Sequence, residues 1–201
     1  MLLDKFIFES SIALKKLHEE IGRCRRCHLS QSRDKAVPGE GPISADIMFI
    51  GEAPGRGEDR QGRPFVGRAG KFLEELLKEA GLDRDQVFIG NVLKCRPSEN
   101  GQDRRPTEEE IEACSAYLDR QIELVKPQII CTLGDVATKY IFKKYGLGIK
   151  SISRIHGAIF ATNTLKIIPA YHPAAVLYKP ELKHLMHRDF RRIGRMKEGK
   201  D

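Results

Sequence analysis

The sequence predicts an α/β fold: a single three-layer domain whose central, mostly parallel four-stranded sheet is flanked by helices. Three observations predict it. Four short apolar runs read as buried strands, helix-period segments separate the first three runs, and Gly81 and Pro106 punctuate the joints. At 201 residues one core is the simplest organisation, with no internal repeat and no linker long enough to divide it. The domain reads as 1–201, including an N-terminal helix with a C-x2-C segment (about 4–30) and a basic C-terminal tail (about 183–201).

Taken in order, residues 6–21 place Phe6, Ile7, Leu14, Leu17 and Ile21 at roughly helical spacing and stop at Gly22, just before Cys24 and Cys27. The strands fall at 47–50, 87–89, 129–133 and 165–168. Residues 69–80 put Phe72, Leu73, Leu76, Leu77 and Ala80 on one helical face, and Gly81 supplies the stop. Residues 108–125 open after Pro106 with Thr107 and Glu110 in capping-box spacing, and their stripe is Ile111, Cys114, Leu118, Ile122 and Val125. A third helix covers 134–145. Residues 158–161, with the Asn163-Thr164 turn, read as a hairpin arm.

Composition narrows the function classes. Lys and Arg number 35 against 28 Asp and Glu, a net charge of +7, which predicts attraction to a polyanion. No apolar run approaches the ~20 residues of a membrane helix. The N-terminal stretch carries Asp4 and Glu9 and lacks a basic n-region and a small-residue cleavage site, so it does not read as a signal peptide. The expected location is cytoplasmic, where five cysteines point to metal ligation over disulfides.

In a parallel sheet, ligands bind outside the carboxyl ends of the strands. The residues just past those ends are Gly51-Glu52-Ala53-Pro54-Gly55, then Asn91 and Cys95, then Gly134-Asp135, then Tyr171-His172-Pro173. A carboxylate, an amide and an imidazole thus meet on one rim. The loop 51–59 lacks both the Gly-Lys-Ser/Thr ending of a triphosphate loop and the helix entry of a dinucleotide fingerprint. Its glycines fit either a plain tight turn or a catalytic loop, and Glu52 and Glu58 favour catalysis, where a carboxylate orients water or steadies a cation.

Phe65 lies in a glycine-bracketed loop, either as a loop anchor or as an aromatic platform for a base, worth ~1–3 kcal/mol. Asn91 is either a turn former or a base reader. Its amide accepts from uracil N3–H and donates to O4, and cytosine presents the reverse pattern. His172, held between a strand end and Pro173, is either structural or a donor to a leaving-group oxygen. The tail holds Lys183, Arg188, Arg191, Arg192, Arg195, Lys197 and Lys200 against Asp189 and Glu198, a solvated helix face or a set of salt-sensitive phosphate contacts.

Cys24, Cys27, Cys95 and Cys114 bring together a turn, a strand exit and a helix. A zinc ribbon offers two C-x2-C knuckles, whereas the second pair here stands 19 apart, and spacing alone leaves zinc and a [4Fe–4S] cluster level. Cys131, inside an apolar strand, reads as a small core residue.

Together C-R-R-C (24–27), G-E-A-P-G-R-G-E-D (51–59), G-R-P-F-V-G (62–67), N-V-L-K-C-R-P (91–97), E-A-C (112–114) and Y-H-P-A-A-V-L (171–177) resemble the family 4 uracil-DNA glycosylases, the iron–sulfur branch from thermophilic bacteria and archaea. The resemblance runs from about Gly22 to Leu177. It implies a uracil-DNA glycosylase-like fold and a monofunctional enzyme that flips deoxyuridine from DNA and hydrolyses its N-glycosidic bond. It also implies a [4Fe–4S] cluster on the four cysteines, with zinc as the alternative. Glu52 matches the acid near the attacking water, His172 the residue supporting uracil O2, Phe65 the stacking aromatic and Asn91 the base reader. Gly51, Ala53 and Gly55 match the pocket loop, Glu58 an acid at the pocket mouth, and Leu177 the wedge of the 174–177 loop.

The 96–113 loop is longer than usual for the family. A related branch uses an extended loop there, with a histidine, to capture the sugar covalently. This loop has no histidine, and Ala53 stands where that branch favours glutamine, so the resemblance favours turnover over covalent trapping; a non-catalytic or trapping iron–sulfur uracil-DNA-binding protein is the alternative. The expected partner is uracil-containing DNA, bound by a monomer, with a sliding clamp or other repair proteins as further candidates.

Overall fold

The computed structural model describes residues 2–148 and 151–197. Helix α1 spans Leu2–Arg23, and Leu14, Leu17 and Ile21 form its buried stripe. The side chain of Phe6, placed on that face from the sequence, lies outside the described residues, as do Glu198 and Lys200 of the basic tail. After the Cys24–Cys27 turn comes the short helix α2 (Leu29–Ser32). Strand β1 (Ile47–Gly51) leads into α3 (Arg56–Gln61) and α4 (Arg68–Glu79). Strand β2 (Phe88–Asn91) is followed by a small hairpin of β3 (Ser98–Glu99) and β4 (Gln102–Asp103), then by α5 (Glu108–Val125). The second half runs β5 (Ile129–Leu133), α6 (Asp135–Lys144), α7 (Ile152–Ile155), β6 (Phe160–Ala161), β7 (Lys166–Ala170) and α8 (Lys183–Lys197).

The sheet order is β2-β1-β5-β7-β6. The first four strands are parallel, and β6 pairs antiparallel to β7. The sheet therefore has five strands, not the four expected. The expected hairpin arm joins the sheet because β7 has a free edge beyond β5. Thr162 closes the turn by donating through N and Oγ1 to the Leu165 carbonyl (2.9 and 2.8 Å). An arm of two paired residues is too short to show a strand's alternation in sequence.

Strand β1 shows how one sequence feeds two layers. Met48 and Ile50 join the core beneath α1, α5 and α6, whereas Ile47 and Phe49 join the core beneath α4 and α8. Phe49 stacks on Phe190 of α8 with centroids 5.6 Å apart, and such fully buried side chains contribute ~1.5–3 kcal/mol each. Cys131 is wholly buried in that second core, as expected of a packing residue, and burial pushes its thiol pKa up. The capping box of α5 is formed in full: Glu110 N–H donates to Thr107 Oγ1 (3.2 Å) and Thr107 N–H to Glu110 Oε2 (2.8 Å).

The glycine-rich loop departs from its sequence reading, because a helix does follow it. Gly55 is extended, α3 begins at the next residue, and Gly62 ends it with φ 75°. Six residues with Glu58, Asp59 and Arg60 carry no apolar period to announce them.

Candidate active site

All four parallel strands end on one edge, which delivers Glu52, Asn91, Gly134 and His172 to a common rim. A cleft of about 470 Å³ opens there. Glu52, Ala53, Gly55, Glu58, Phe65, His172 and Leu177 line it. Gly51 and Asn91 do not; they pack close to the Phe65 ring. The two are register partners across β1 and β2. A Cβ built on Gly51 would lie 2.4 Å from Asn91 Oδ1 and 2.7 Å from Phe65 Cζ, so only glycine permits this approach.

Asn91 is 1% exposed, and its Oδ1 has no hydrogen-bond partner among the described residues. Buried acceptors are rarely left unpaired, and an orphan costs ~1–3 kcal/mol.

Phe65 faces His172 with ring centroids 5.6 Å apart and an interplanar angle of 31°. Its backbone is left-handed (φ 50°), which is strained for a bulky residue. Three contacts hold that strain. Glu58 Oε1 accepts from the N–H groups of Val66 (2.9 Å) and Gly67 (2.8 Å), and Arg84 Nη1 donates to the Phe65 carbonyl (3.2 Å). Helix α4 passes close beneath, and a Cβ on Gly70 would lie 1.9 Å from the Phe65 oxygen. Glu58 thus lines the cleft while clamping the loop that presents Phe65.

His172 precedes a 3₁₀ turn, Pro173–Leu177, and accepts at Nδ1 from the N–H of Ala174 (3.2 Å). Burial drives its pKa from 6.5 to about 4, with the carboxylate of Glu58 pulling weakly the other way. The imidazole is neutral at ordinary pH, and with Nδ1 accepting, the proton sits on Nε2. Gly134, at φ 91°, makes room for it, since a Cβ there would lie 3.1 Å from His172 Cβ. Glu52 is half-buried, and burial raises its pKa; Arg105 opposes the rise and Asp135 adds to it.

Several cleft residues went unremarked in the sequence. Arg56, Arg68 and Arg104 line the cleft, and Tyr178 stands next to Leu177 on its lip. Leu177 is 45% exposed and Tyr178 83%. The available signal was a basic residue directly after each glycine-bounded motif, at Arg56 and Arg68. The 96–113 loop also reaches the cleft, through Pro97, Asp103 and Arg104.

The four cysteines gather on the other side of the β2 exit. Cys95 and Cys114 are buried, Cys24 and Cys27 partly so, and none forms a disulfide. Burial is the main force raising the Cys95 and Cys114 thiols, the latter to about 11, and neighbouring cysteines push both further. Sulfur acceptors are already served by N–H donors: Arg33 Nη1 to Cys95 Sγ (3.0 Å), Lys94 N to Cys114 Sγ (3.2 Å) and Arg26 N to Cys24 Sγ (3.4 Å). Such donors suit thiolates that carry charge into a cluster or metal site. Among the described residues, no three His, Cys, Asp or Glu side chains are drawn together closely enough to hold a metal ion. Four soft donors with this second layer of N–H groups fit an iron–sulfur cluster or a zinc ion alike.

Comparison with known proteins agrees with this geometry. The family model described as the uracil DNA glycosylase superfamily matches residues 38–192. The Type-4 uracil-DNA glycosylase of Sulfurisphaera tokodaii is 52% identical over 186 residues, covering 90% of this chain and 83% of the relative. That of Saccharolobus solfataricus is 48% identical over 185 residues (90% and 84%), and that of Archaeoglobus fulgidus 46% over 188 residues (92% and 93%). With likeness of this extent carried along nearly the whole chain, and the rim residues gathered at the strand ends, this chain belongs to the uracil DNA glycosylase superfamily, in its type-4 branch.

Proposed function

We propose that this protein is a DNA-repair glycosylase that extrudes deoxyuridine from DNA and hydrolyses the N-glycosidic bond, releasing uracil and leaving an abasic site. The observation that carries the reading is the orphaned Oδ1 of Asn91 close to Phe65, whose ring in turn faces a neutral His172.

Extrusion costs a few kcal/mol of stacking and pairing. Leu177 fills the gap in the duplex, Arg56, Arg68 and Arg104 meet phosphates, and Phe65 receives the face of the base. Asn91 Oδ1 accepts from uracil N3–H and its amide nitrogen donates to O4, whereas cytosine would leave both atoms facing like partners. As the C1′–N1 bond breaks, its electron pair leaves with uracil and charge grows on O2. His172 donates to O2 from Nε2. Water oxygen bonds to C1′, positioned by Glu52, whose negative charge also favours the cationic sugar; the water proton passes to Glu52 or to solvent. Glu58 holds the Phe65 loop at the pocket mouth. Gly51, Ala53 and Gly55 keep the loop backbone close to the base.

Cys24, Cys27, Cys95 and Cys114 would hold a [4Fe–4S] cluster, which supplies a crosslink between the N-terminal segment, the β2 exit and α5. The four thiols and their N–H donors support a metal centre, and the resemblance of the cysteine motifs to the iron–sulfur branch favours the cluster over zinc. Fresh protein should be brown, and colourless protein containing zinc would overturn the assignment.

The decisive experiment incubates the protein with an oligonucleotide holding one uracil, followed by alkali. Strand breaks at the uracil are expected. No break would leave a binding module, and a denaturant-resistant adduct would mean covalent trapping.

A further inference from the structure

A fully buried lysine is rare, because a charged or neutral amine in the core must find partners or cost stability. Lys94 is 1% exposed. Its Nζ donates to two acceptors, the backbone carbonyl of Asn91 (2.8 Å) and Oε1 of Gln121 on α5 (2.6 Å). Gln121, itself 0% exposed, is fixed by its Nε2, which donates to the Pro38 carbonyl (2.7 Å) and faces His18 Nε2 (3.3 Å). The main chain of Lys94 is equally committed: its N–H reaches Cys114 Sγ (3.2 Å) and its carbonyl accepts from Val37 N (2.7 Å).

The residues between are tied as well. Val92 N donates to the Gly51 carbonyl and Leu93 N to the Glu52 carbonyl, each at 3.0 Å. Within five residues the chain passes from Asn91 to Cys95, and the Lys94 side chain folds back to fasten the Asn91 carbonyl three positions earlier. No packing need explains this. A leucine or methionine would fill the same volume without bringing an amine into the core.

We infer that Lys94 is a positioning residue for base recognition: by gripping the Asn91 carbonyl from a backbone anchored on Cys114 and a side chain anchored on Gln121, it sets the direction in which the Asn91 amide faces the base. The inference rests on Asn91 reading the base, as proposed above. It makes the thiol centre an anchor for specificity and not merely a fold crosslink. Displacement of a recognition group by ~1 Å costs as much as ~10² in rate, so a hydrogen-bonded brace behind it matters.

The test uses inhibition by free uracil, which reports on the base pocket alone, beside binding of abasic DNA, which does not need Asn91. In Lys94→Met, uracil inhibition is expected to weaken about tenfold or more, equivalent to one lost hydrogen-bonding arrangement. Abasic-DNA affinity should stay within about twofold, and iron–sulfur absorbance should persist. Gln121→Met, remote from the cysteines, should give a smaller loss of the same kind and serves if Lys94→Met does not fold. Unchanged uracil inhibition in the folded variants overturns the inference. So does a parallel fall of uracil inhibition, DNA affinity and melting temperature, which marks a purely structural lysine. Asn91→Ala separates the two ideas. If it leaves uracil inhibition intact, the base-reading role fails; if it abolishes inhibition while Lys94→Met does not, only the brace fails.

Discussion

The N–H of Ala174 donates to Nδ1 of His172 across 3.2 Å, and this bond settles which nitrogen of the ring carries the proton. A neutral ring fixed in this way can only donate from Nε2. The device leaves the ring uncharged, as the proposed donation to a developing anion requires, and it needs nothing beyond the first residues of a 3₁₀ turn.

The pH dependence should divide between His172 and Glu52. With a folded pKa of about 4 against 6.5, His172 stays neutral throughout ordinary pH. Below 6.5 the unfolded chain takes up this proton and the folded protein does not, so stability falls as pH drops through that window and levels off below about 4. The acid limb of excision should instead come from Glu52, whose carboxyl is raised by burial. His172→Gln should lower the rate by ~10²–10³ yet keep the acid limb, and Glu52→Gln should remove the limb with the rate. Single-turnover rates from pH 4 to 9 check this.

Glu52→Gln should also stabilise the protein. An acid whose folded pKa is raised imposes its penalty at pH above that pKa and none below its unfolded value. The variant should therefore melt higher at neutral pH, by ~2–4 °C for each kcal/mol recovered, with the gain vanishing as the solution is acidified. Calorimetry at two pH values suffices, and an equal gain at both would deny the assigned cause.

Gly51→Ala is expected to damage function more than folding. The added methyl meets Asn91 Oδ1 and Phe65 Cζ at 2.4 and 2.7 Å, both groups proposed to handle the base. Excision should fall by ~10² or more, as misplacement at a reacting site predicts. Gly70→Ala should instead cost ~3 kcal/mol, since its methyl meets the backbone of Phe65 and neither helix nor loop can yield. Urea unfolding of the pair, beside their rates, separates the two effects.

Arg68→Ala should weaken binding to every DNA sequence alike and reduce the slope of log affinity against log salt by about 1, the signature of one lost phosphate contact. The ratio of uracil to cytosine excision should not change. A shift in that ratio would place Arg68 near the base.

Much of this was legible in the chain, for identifiable reasons. Strand 129–133 shows in the sequence as an unbroken apolar run and helix 108–125 as a helical stripe, and Thr107 and Glu110 advertise a cap that forms as drawn. Cleft residues Glu52, Phe65 and His172 showed because each follows or interrupts a regular element. Strand β6 reads only as an arm, since two residues have no period, and α3 leaves no mark in the sequence because a helix of Arg, Gly, Glu, Asp and Gln has no apolar face. The work of Glu58 and Lys94 was hidden for a different reason. A carboxylate clamping Val66 and an ammonium gripping Asn91 depend on which backbone groups lack partners, and that is a property of the folded chain.

The pairing of Gly51 with Asn91 across β1 and β2 has one more consequence. A strand displaced by one residue turns every side chain to the opposite face. Were β2 to slip one place along β1, Asn91 would point away and Gly90 or Val92 would stand opposite Gly51 in its stead. With Asn91 reading the base as proposed, selectivity is written into strand alignment, and a misaligned molecule is also a blind one. Binding of free uracil should accordingly serve as a proofreading assay for the assembly of this sheet, reporting native register where circular dichroism would report only that strands had formed.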